Sequence, residues 1–204
     1  MPRRFVQLLA GAVTAGSALF LAVGASPASA RPSVAPPGNE TIAQIACVDN
    51  AASFSTLCSL LHLTGLDAVA ASNAVTLTVF APTNQAFADL FAANPALPGV
   101  LTSSEQADAG YPLLKNVLLY HITDGRRFSN SVFGHHAKRI TMLDCGRIVT
   151  HPDLTITDQT GRTITVDTPL VNISASNGVV HVINQVMLPT TTGCHSESDG
   201  GSSE

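Results

Sequence analysis

Apolar residues follow two different periods along this chain. Up to Tyr120 they recur at intervals of three and four residues, which is the spacing of amphipathic helices. From Ile140 onward they alternate with polar residues, which is the spacing of strands. The sequence therefore predicts an α+β domain over residues 41–190, with a helical first half and an antiparallel second half.

Each predicted helix combines an apolar face with a terminal signal. Asn39 is expected to cap the first helix, and Gly65 to end the second, because glycine adopts the left-handed conformation at helix ends. Thr83 or Asn84 is expected to cap the third, and Pro112 fits the first turn of the fourth. The apolar faces are Ile42, Ile45 and Ala46; Phe54, Leu57, Cys58 and Leu61; Phe87, Leu90 and Phe91; and Leu113, Leu114, Val117 and Leu118. The segment 96–109 is expected to be irregular or weakly helical.

Strands are predicted where β-branched runs lie between turn residues. The run 75–80 is predicted to be a buried strand that Pro82 ends, because proline cannot donate to a sheet ladder. In the run 179–186 the valines are expected to face the core, with His181 and Asn184 near the surface. The remaining predicted strands are 147–150, 154–157, 163–166 and 171–174.

Three segments of the chain resemble a known family. They are 76–90 (TLTVFAPTNQAFADL), 113–123 (LLKNVLLYHIT), which contains the pair Tyr120-His121, and 177–189 (NGVVHVINQVMLP). This ordered set resembles the two signatures and the Tyr-His element of a fasciclin-type domain, an extracellular adhesion module. The resemblance implies a fasciclin-like fold, in which short helices pack on a mostly antiparallel β-sheet wedge or sandwich.

The same resemblance implies a secreted, non-enzymatic binding module for cell adhesion or for association with an extracellular matrix or cell wall. The expected partner is a cell-surface or matrix protein or a polysaccharide, and the candidate binding residues are Tyr120, His121, Asn184 and Gln185. Animal members carry an Asp-Ile pair near this point that is linked to integrin recognition, and Gln185-Val186 departs from that pair, which weakens any claim of integrin recognition.

Two alternatives remain open at this point. Some algal members bind carotenoids, so the chain is alternatively a carrier of a small apolar ligand. Tyr120 and His121 alternatively have a structural role, with the tyrosine ring in the core and the polar atoms satisfying buried backbone groups.

The first 30 residues have the pattern of a secretory signal peptide. Arg3 and Arg4 precede an apolar run, and Ala28-Ser29-Ala30 is a small-residue cleavage site. The alternative for this run is a membrane anchor. Removal of the signal would leave no membrane span, a Pro-rich spacer over 31–40, and a disordered acidic Ser/Gly tail over 191–204. The expected location is extracellular, with the periplasm or cell wall as alternatives.

Composition limits the class of partner. The full chain has a formal net charge of −4, and loss of Arg3 and Arg4 makes it more negative. Nucleic acids and anionic membranes bind clustered cations, so neither is expected as a partner. Arg126, Arg127, Lys138 and Arg139 form a small basic group that is expected to be a solvated surface loop.

Four cysteines follow the predicted cleavage site, so an oxidising compartment favours two disulfides over free thiols. Four cysteines allow three pairings. Cys47 with Cys58 and Cys145 with Cys194 are favoured, because loops of short range close most easily. The spacings do not match a zinc motif, so no metal site is expected from these cysteines.

Other candidate chemistry is sparse. His135 and His136 are adjacent and would point to opposite faces of a strand, while His62, His151 and His195 are isolated, so no metal and no cofactor are expected. Nucleophile-elbow and phosphate-loop motifs are absent from the sequence, and no enzymatic activity is expected. Asn39 and Asn172 begin glycosylation sequons, which a helix cap and a strand position would also explain.

Overall fold

Helices precede most of the strands in the part of the chain that the computed structural model describes, residues 38–190. The helical segments are α1 (Ile42–Gln44), continued by a π-helical turn (Ile45–Asp49), α2 (Ala51–Thr64), α3 (Asp67–Ala71), α4 (Asn84–Ala93), α5 (Leu97–Leu101), α6 (Ser104–Asp108), α7 (Pro112–Leu119) and α8 (Ser129–Val132). The strands are β1 (Leu77–Pro82), β2 (Ile122–Asp124), β3 (Lys138–Thr141), β4 (Arg147–Thr150), β5 (Thr155–Thr157), β6 (Thr163–Thr165), β7 (Ile173–Ala175) and β8 (Gly178–Ile183), with a 3₁₀ turn at Thr168–Leu170.

Several predictions fall on other parts of the chain. The signal peptide, spacer residues 31–37, Cys194 and the acidic tail lie outside the described residues. Within residues 38–190 no helix has both the length and the apolar character needed to cross a membrane.

The strands form two four-stranded sheets. The first sheet has the order β2-β1-β8-β7, and the second has the order β3-β4-β5-β6. In the first sheet β1 and β8 run parallel, from Leu77 opposite Gly178 to Pro82 opposite Ile183, while the pairs β1–β2 and β7–β8 are antiparallel. The mixed α+β architecture is confirmed, and the two signature segments pair with each other.

The two central strands of the first sheet, β1 and β8, are buried on both faces. One face, with Val79 and Val180, packs against the helices, whereas Phe80 and Ile183 pack against the second sheet. Every residue of β1 and β8 is buried for this reason, as is usual for parallel strands covered on both sides.

The burial of His181 corrects one prediction. Alternation along β8 predicted His181 at the surface, but its side chain is 0% exposed, because the second sheet covers that face. The ring lies 5.6 Å from that of Phe80 and 5.9 Å from that of Phe133, centroid to centroid. Its Nε2 donates to the Arg127 carbonyl at 2.9 Å and its Nδ1 accepts from the Asn172 amide at 3.3 Å.

Helix boundaries follow most of the sequence signals. Gly65 ends α2 with φ of 69°, Thr83 caps α4 through the Ala86 amide, and Pro112 opens α7. The prediction of Asn39 as the first cap is wrong. Thr41 caps α1, because Thr41 and Gln44 exchange hydrogen bonds in a capping box.

The turn before β8 contains a buried asparagine that forms hydrogen bonds with three backbone groups. Asn177 is 2% exposed; its Oδ1 accepts from the Ile42 amide at 2.9 Å, and its Nδ2 donates to the carbonyls of Ala70 and Ser72. The Arg126 guanidinium donates to three carbonyls of the same region, those of residues 175, 176 and 178, each at 2.8 Å. The expectation that Arg126 is simply solvated was therefore wrong.

The Cys47–Cys58 disulfide is confirmed, with Cα atoms 5.2 Å apart. Among the described residues no cysteine is free, and Cys145 is engaged as well. The predicted partner of Cys145 falls outside the described residues.

Gly178 is required by a close approach between strands, which generates a test. A Cβ at this position would lie 2.0 Å from the Leu77 carbonyl oxygen and 2.8 Å from Ile42 Cδ1. Because the first obstacle is backbone, Gly178→Ala has to displace β1, and overpacking of this kind costs about 1–3 kcal/mol. We expect the free energy of unfolding in urea to fall by about 1–3 kcal/mol.

Gly99→Ala is the matched control, because a Cβ at Gly99 has open space around it. Gly99 lies within α5, where alanine is the better helix former, so the free energy of unfolding of Gly99→Ala should stay the same or rise. Equal stability of the two variants would contradict the packing described for β1 and β8.

Candidate functional site

The Tyr-His element joins the two signature segments. The His121 carbonyl accepts from the Phe80 amide of β1 at 2.9 Å. The His121 ring donates from Nδ1 to the Val117 carbonyl at 2.7 Å and accepts at Nε2 from the Met187 amide at 2.9 Å. These partners fix the neutral Nδ1–H tautomer, because a carbonyl requires a donor and an amide requires an acceptor. One residue thus connects α7, the first signature and the end of the second.

Tyr120 makes the corresponding connection to the second sheet. Its side chain is fully buried, and its hydroxyl donates to the Arg147 carbonyl at 3.0 Å while accepting from the Gln159 amide at 2.9 Å. Burial raises the pKa of this hydroxyl. Since neither Tyr120 nor His121 reaches the surface, any contribution of this pair to partner binding is indirect.

Side chains also hold the segment that follows β8. The buried Asp158 carboxylate accepts from the Leu188 amide at 3.2 Å and is paired with Arg162 at 3.0 Å. Arg162 in turn donates to the Val186 carbonyl. Burial acts to raise the pKa of Asp158, but the hydrogen bonds it accepts outweigh that effect and lower it. Residues 186–188 are therefore held by side chains of other elements where the sheet ladder has ended.

Asn184 and Gln185 lie on an open polar cleft of about 600 Å³, next to residues 186–188. Asn184 is exposed and its Oδ1 accepts from the Thr165 amide at 2.9 Å, so its side chain also shapes the wall. Gln185 is half-buried and faces two neighbouring depressions. The lining consists of Thr83, Gln85, Asp89, Thr165, Val166, Asp167, Thr168, Ile183, Asn184 and Gln185.

The cleft has a distinct chemistry. Hydroxyls, amides and the two carboxylates of Asp89 and Asp167 line it, and no cation is among the lining residues in the described part of the chain. Sequence reasoning singled out Asn184 and Gln185 but missed Gln85, Asp89 and Asp167. The exposed face of α4 was a sequence signal for Gln85 and Asp89. Asp167 follows β6, and only the fold of the second sheet brings it to the cleft.

A separate apolar cavity of about 160 Å³ lies among the helices. It is lined by residues of α2, α4, α5 and α7, by Thr102 at the end of α5, and by Leu188 and the His121 ring: Leu60, Phe87, Leu90, Phe91, Leu97, Pro98, Leu101, Thr102, Leu114, Val117, Leu118, His121 and Leu188. A cavity of about 150 Å³ with a similar lining stays dry and admits benzene or xenon.

The other predicted positions are dispersed. His135, His136 and Asn39 are exposed, and the His151 ring contacts the Thr157 hydroxyl at 2.9 Å. Asn172 has a positive φ of 63° just before β7, and its amide is bonded to the backbone and hydroxyl of Ser129. A glycan on Asn172 would be attached to the nitrogen that donates to the Ser129 hydroxyl.

Comparison with known proteins gives two findings. A family model described as Fasciclin domain matches residues 52–189. The fold is similar to that of a solved fasciclin domain pair from the insect cell adhesion molecule fasciclin I, with 15% sequence identity and a TM-score of 0.58, covering 73% of this chain and 51% of that chain. The chain thus spans about half the length of that solved structure. No curated protein matches the chain.

The buried His121 predicts a specific dependence of stability on pH. Burial is the largest influence and, with Arg162, lowers the pKa of His121 from 6.5 to about 4, although the Val117 hydrogen bond and Asp158 act to raise it. Between pH 6.5 and about pH 4, the unfolded chain therefore binds a proton at His121 that the folded chain does not bind. The contribution of the neutral His121 ring to the free energy of unfolding is fully present above pH 6.5. It is lost as the pH falls towards 4, and this loss is about 3 kcal/mol.

Urea unfolding across this pH range should show the loss in the natural protein. His121→Gln should be less stable at neutral pH and should lose part of the dependence on pH. His136→Gln, which alters an exposed ring, should behave as the natural protein does. An unchanged pH dependence in His121→Gln would contradict the neutral buried ring.

Proposed function

The chain belongs to the fasciclin domain family, and we propose on that basis that it is a secreted, non-enzymatic binding module for cell adhesion or for association with an extracellular matrix or cell wall. The observation that carries the proposal is the open polar cleft where the end of the second signature meets the start of α4. The Cys47–Cys58 disulfide is consistent with an extracellular location. The similar insect protein is described as a cell adhesion molecule.

The hydrogen bonds of His121 and Asp158 and the side chains that line the cleft support binding over catalysis. Both ring nitrogens of His121 are bonded to backbone groups, and Asp158 is occupied by Arg162 and backbone amides. A general acid or base has to reach a substrate proton, and these buried groups face protein atoms. The residues that do face solvent at the cleft are mainly amides and hydroxyls, which bind without reacting.

The cleft favours partners that donate hydrogen bonds. Carboxylates of Asp89 and Asp167 and the amide of Gln185 accept hydrogen bonds from hydroxyl and ammonium groups. Polysaccharides and the polar surfaces of matrix or cell-surface proteins present such groups. The same two carboxylates disfavour an anionic partner.

Gln185→Arg tests the cleft, because it places a long cationic side chain where the partner would bind. We expect the affinity of the mature protein for immobilised cell-wall polysaccharide or matrix protein to fall by about tenfold or more, which corresponds to about 1.4 kcal/mol. His136→Arg is the matched control, since it adds the same side chain at an exposed loop position. The proposal fails if no surface binds the natural protein saturably, or if Gln185→Arg binds as tightly as the control.

The apolar cavity supports a second candidate function, the carriage of a small apolar ligand. At about 160 Å³ the cavity is smaller than the usual range of about 300–1,000 Å³ for ligand pockets. A long polyene such as a carotenoid does not fit this volume. The ligand class that fits is a neutral molecule the size of a single aromatic ring.

Benzene is the probe for this second function. Benzene should shift the NMR methyl signals of the lining leucines and raise the thermal midpoint of the natural protein. Leu97→Phe fills the cavity and should abolish both effects, whereas Val100→Phe, on the exposed side of the same helix, should leave them intact. Identical responses in both variants, or none in the natural protein, would rule out this cavity as a ligand site.

A further inference from the structure

A histidine lies against the disulfide at the beginning of the domain. Cys58 and His62 are one turn apart on α2 and so share a face of that helix. Cys47 arrives from the preceding π-helical turn and is bonded to Cys58. One ligand atom from each of the three residues lies within 4.8 Å of the other two. The prediction that His62 is isolated overlooked its four-residue spacing from Cys58 on a predicted helix, which was a local sign of this cluster.

Asp67 orients the His62 ring. Gly65 ends α2 in the left-handed conformation, and the chain turns so that Asp67, in the first turn of α3, faces back towards α2. The Asp67 carboxylate contacts His62 Nδ1 at 2.8 Å. This contact leaves Nε2 as the nitrogen available to a ligand. Metal-binding histidines usually have this arrangement, with the second ring nitrogen bonded to a carboxylate that fixes the ring.

We propose that reduction of the Cys47–Cys58 disulfide creates a zinc site formed by Cys47, Cys58 and His62, with Asp67 as the orienting residue. A dithiol reductant supplies two electrons and two protons; the S–S bond breaks, two thiols form, and the reductant becomes a disulfide. Zn²⁺ then replaces the two thiol protons, which leave to solvent, and the neutral imidazole donates its lone pair.

The geometry suits zinc once the sulfurs separate. Zinc binds thiolate sulfur at about 2.3 Å and imidazole nitrogen at about 2.0–2.1 Å, so tetrahedral coordination places two sulfurs about 3.8 Å apart. Reduction frees the two sulfurs from their bond, and both cysteines are only half-buried, so their side chains have room to rotate apart. Three protein ligands leave a fourth position for water, and the His62 side chain, 60% exposed, leaves access from solvent.

Disulfide and metal exclude each other at this site. The oxidised sulfurs carry no thiolate charge and do not bind zinc, while zinc-bound thiolates are withheld from reoxidation. The site therefore reports the redox state of its surroundings. This inference is independent of the binding function proposed for the cleft, because the cluster involves none of the residues that line it.

The test compares oxidised protein with protein reduced by a phosphine, in a Cys145→Ser/Cys194→Ser background that removes the other thiols. The reduced protein should bind one Zn²⁺ per chain, and Co²⁺ in its place should give thiolate charge-transfer absorption. The oxidised protein should bind none. Circular dichroism of the reduced protein should remain that of a folded chain, and unfolding on reduction would overturn the proposal.

Variants distinguish the full site from two thiols acting alone. His62→Gln should weaken zinc binding by about tenfold or more, and Asp67→Asn by about 10–100-fold, the usual effect of losing an orienting carboxylate. His136→Gln should bind zinc as the parent does. Equal zinc affinity in the parent, His62→Gln and Asp67→Asn would overturn the proposal, as would equal binding before and after reduction.

Discussion

The parallel pairing of β1 and β8 is the constraint on which the rest of this structure depends. Both strands are buried on both faces, so their backbone and polar side chains have no access to water. The strands are far apart in sequence, at Leu77–Pro82 and Gly178–Ile183, and a parallel pair cannot be closed by a tight turn. The buried polar side chains around them, His121, His181 and Asn177, each bond to a backbone group outside the sheet: the Met187 amide, the Arg127 carbonyl and the Ile42 amide, respectively.

The two candidate binding regions are consequences of this arrangement. The end of β8 emerges between α4 and the second sheet, where Asn184 and Gln185 become part of the polar cleft. On the helical side, α4, α5 and α7 meet without filling the space above His121, which leaves the apolar cavity. His121 supports both regions, because it holds the segment after β8 and lines the cavity.

Local signals predicted the elements, whereas tertiary packing decided the surroundings of individual side chains. Gly65, Thr83 and Pro112 act through backbone rules that hold within a few residues, so these boundaries were predictable. The burial of His181 was not predictable, because the alternation of apolar and polar residues along β8 shows only that the two faces of the strand differ. A second sheet that covers the outer face leaves no local mark. The contacts of Arg126 likewise depend on how distant segments return to each other, whereas the cluster of Cys47, Cys58 and His62 depends on the local path of the chain from the π-helical turn into α2. In the candidate site the sequence indicated Asn184 and Gln185, and the exposed face of α4 was a signal for Asp89, but the position of Asp167 beside them required the fold.

The tautomer and charge of the His121 ring test the central claim most directly, because the claim is that this neutral ring joins the two signatures. Nitrogen-15 NMR of the imidazole can be recorded between pH 6.5 and about pH 5.5, where the pH is still more than one unit above the folded pKa of about 4. The structure predicts a neutral ring protonated at Nδ1, with Nε2 coupled to the Met187 amide across their hydrogen bond. An imidazolium in this range, or a ring protonated at Nε2, would contradict the account.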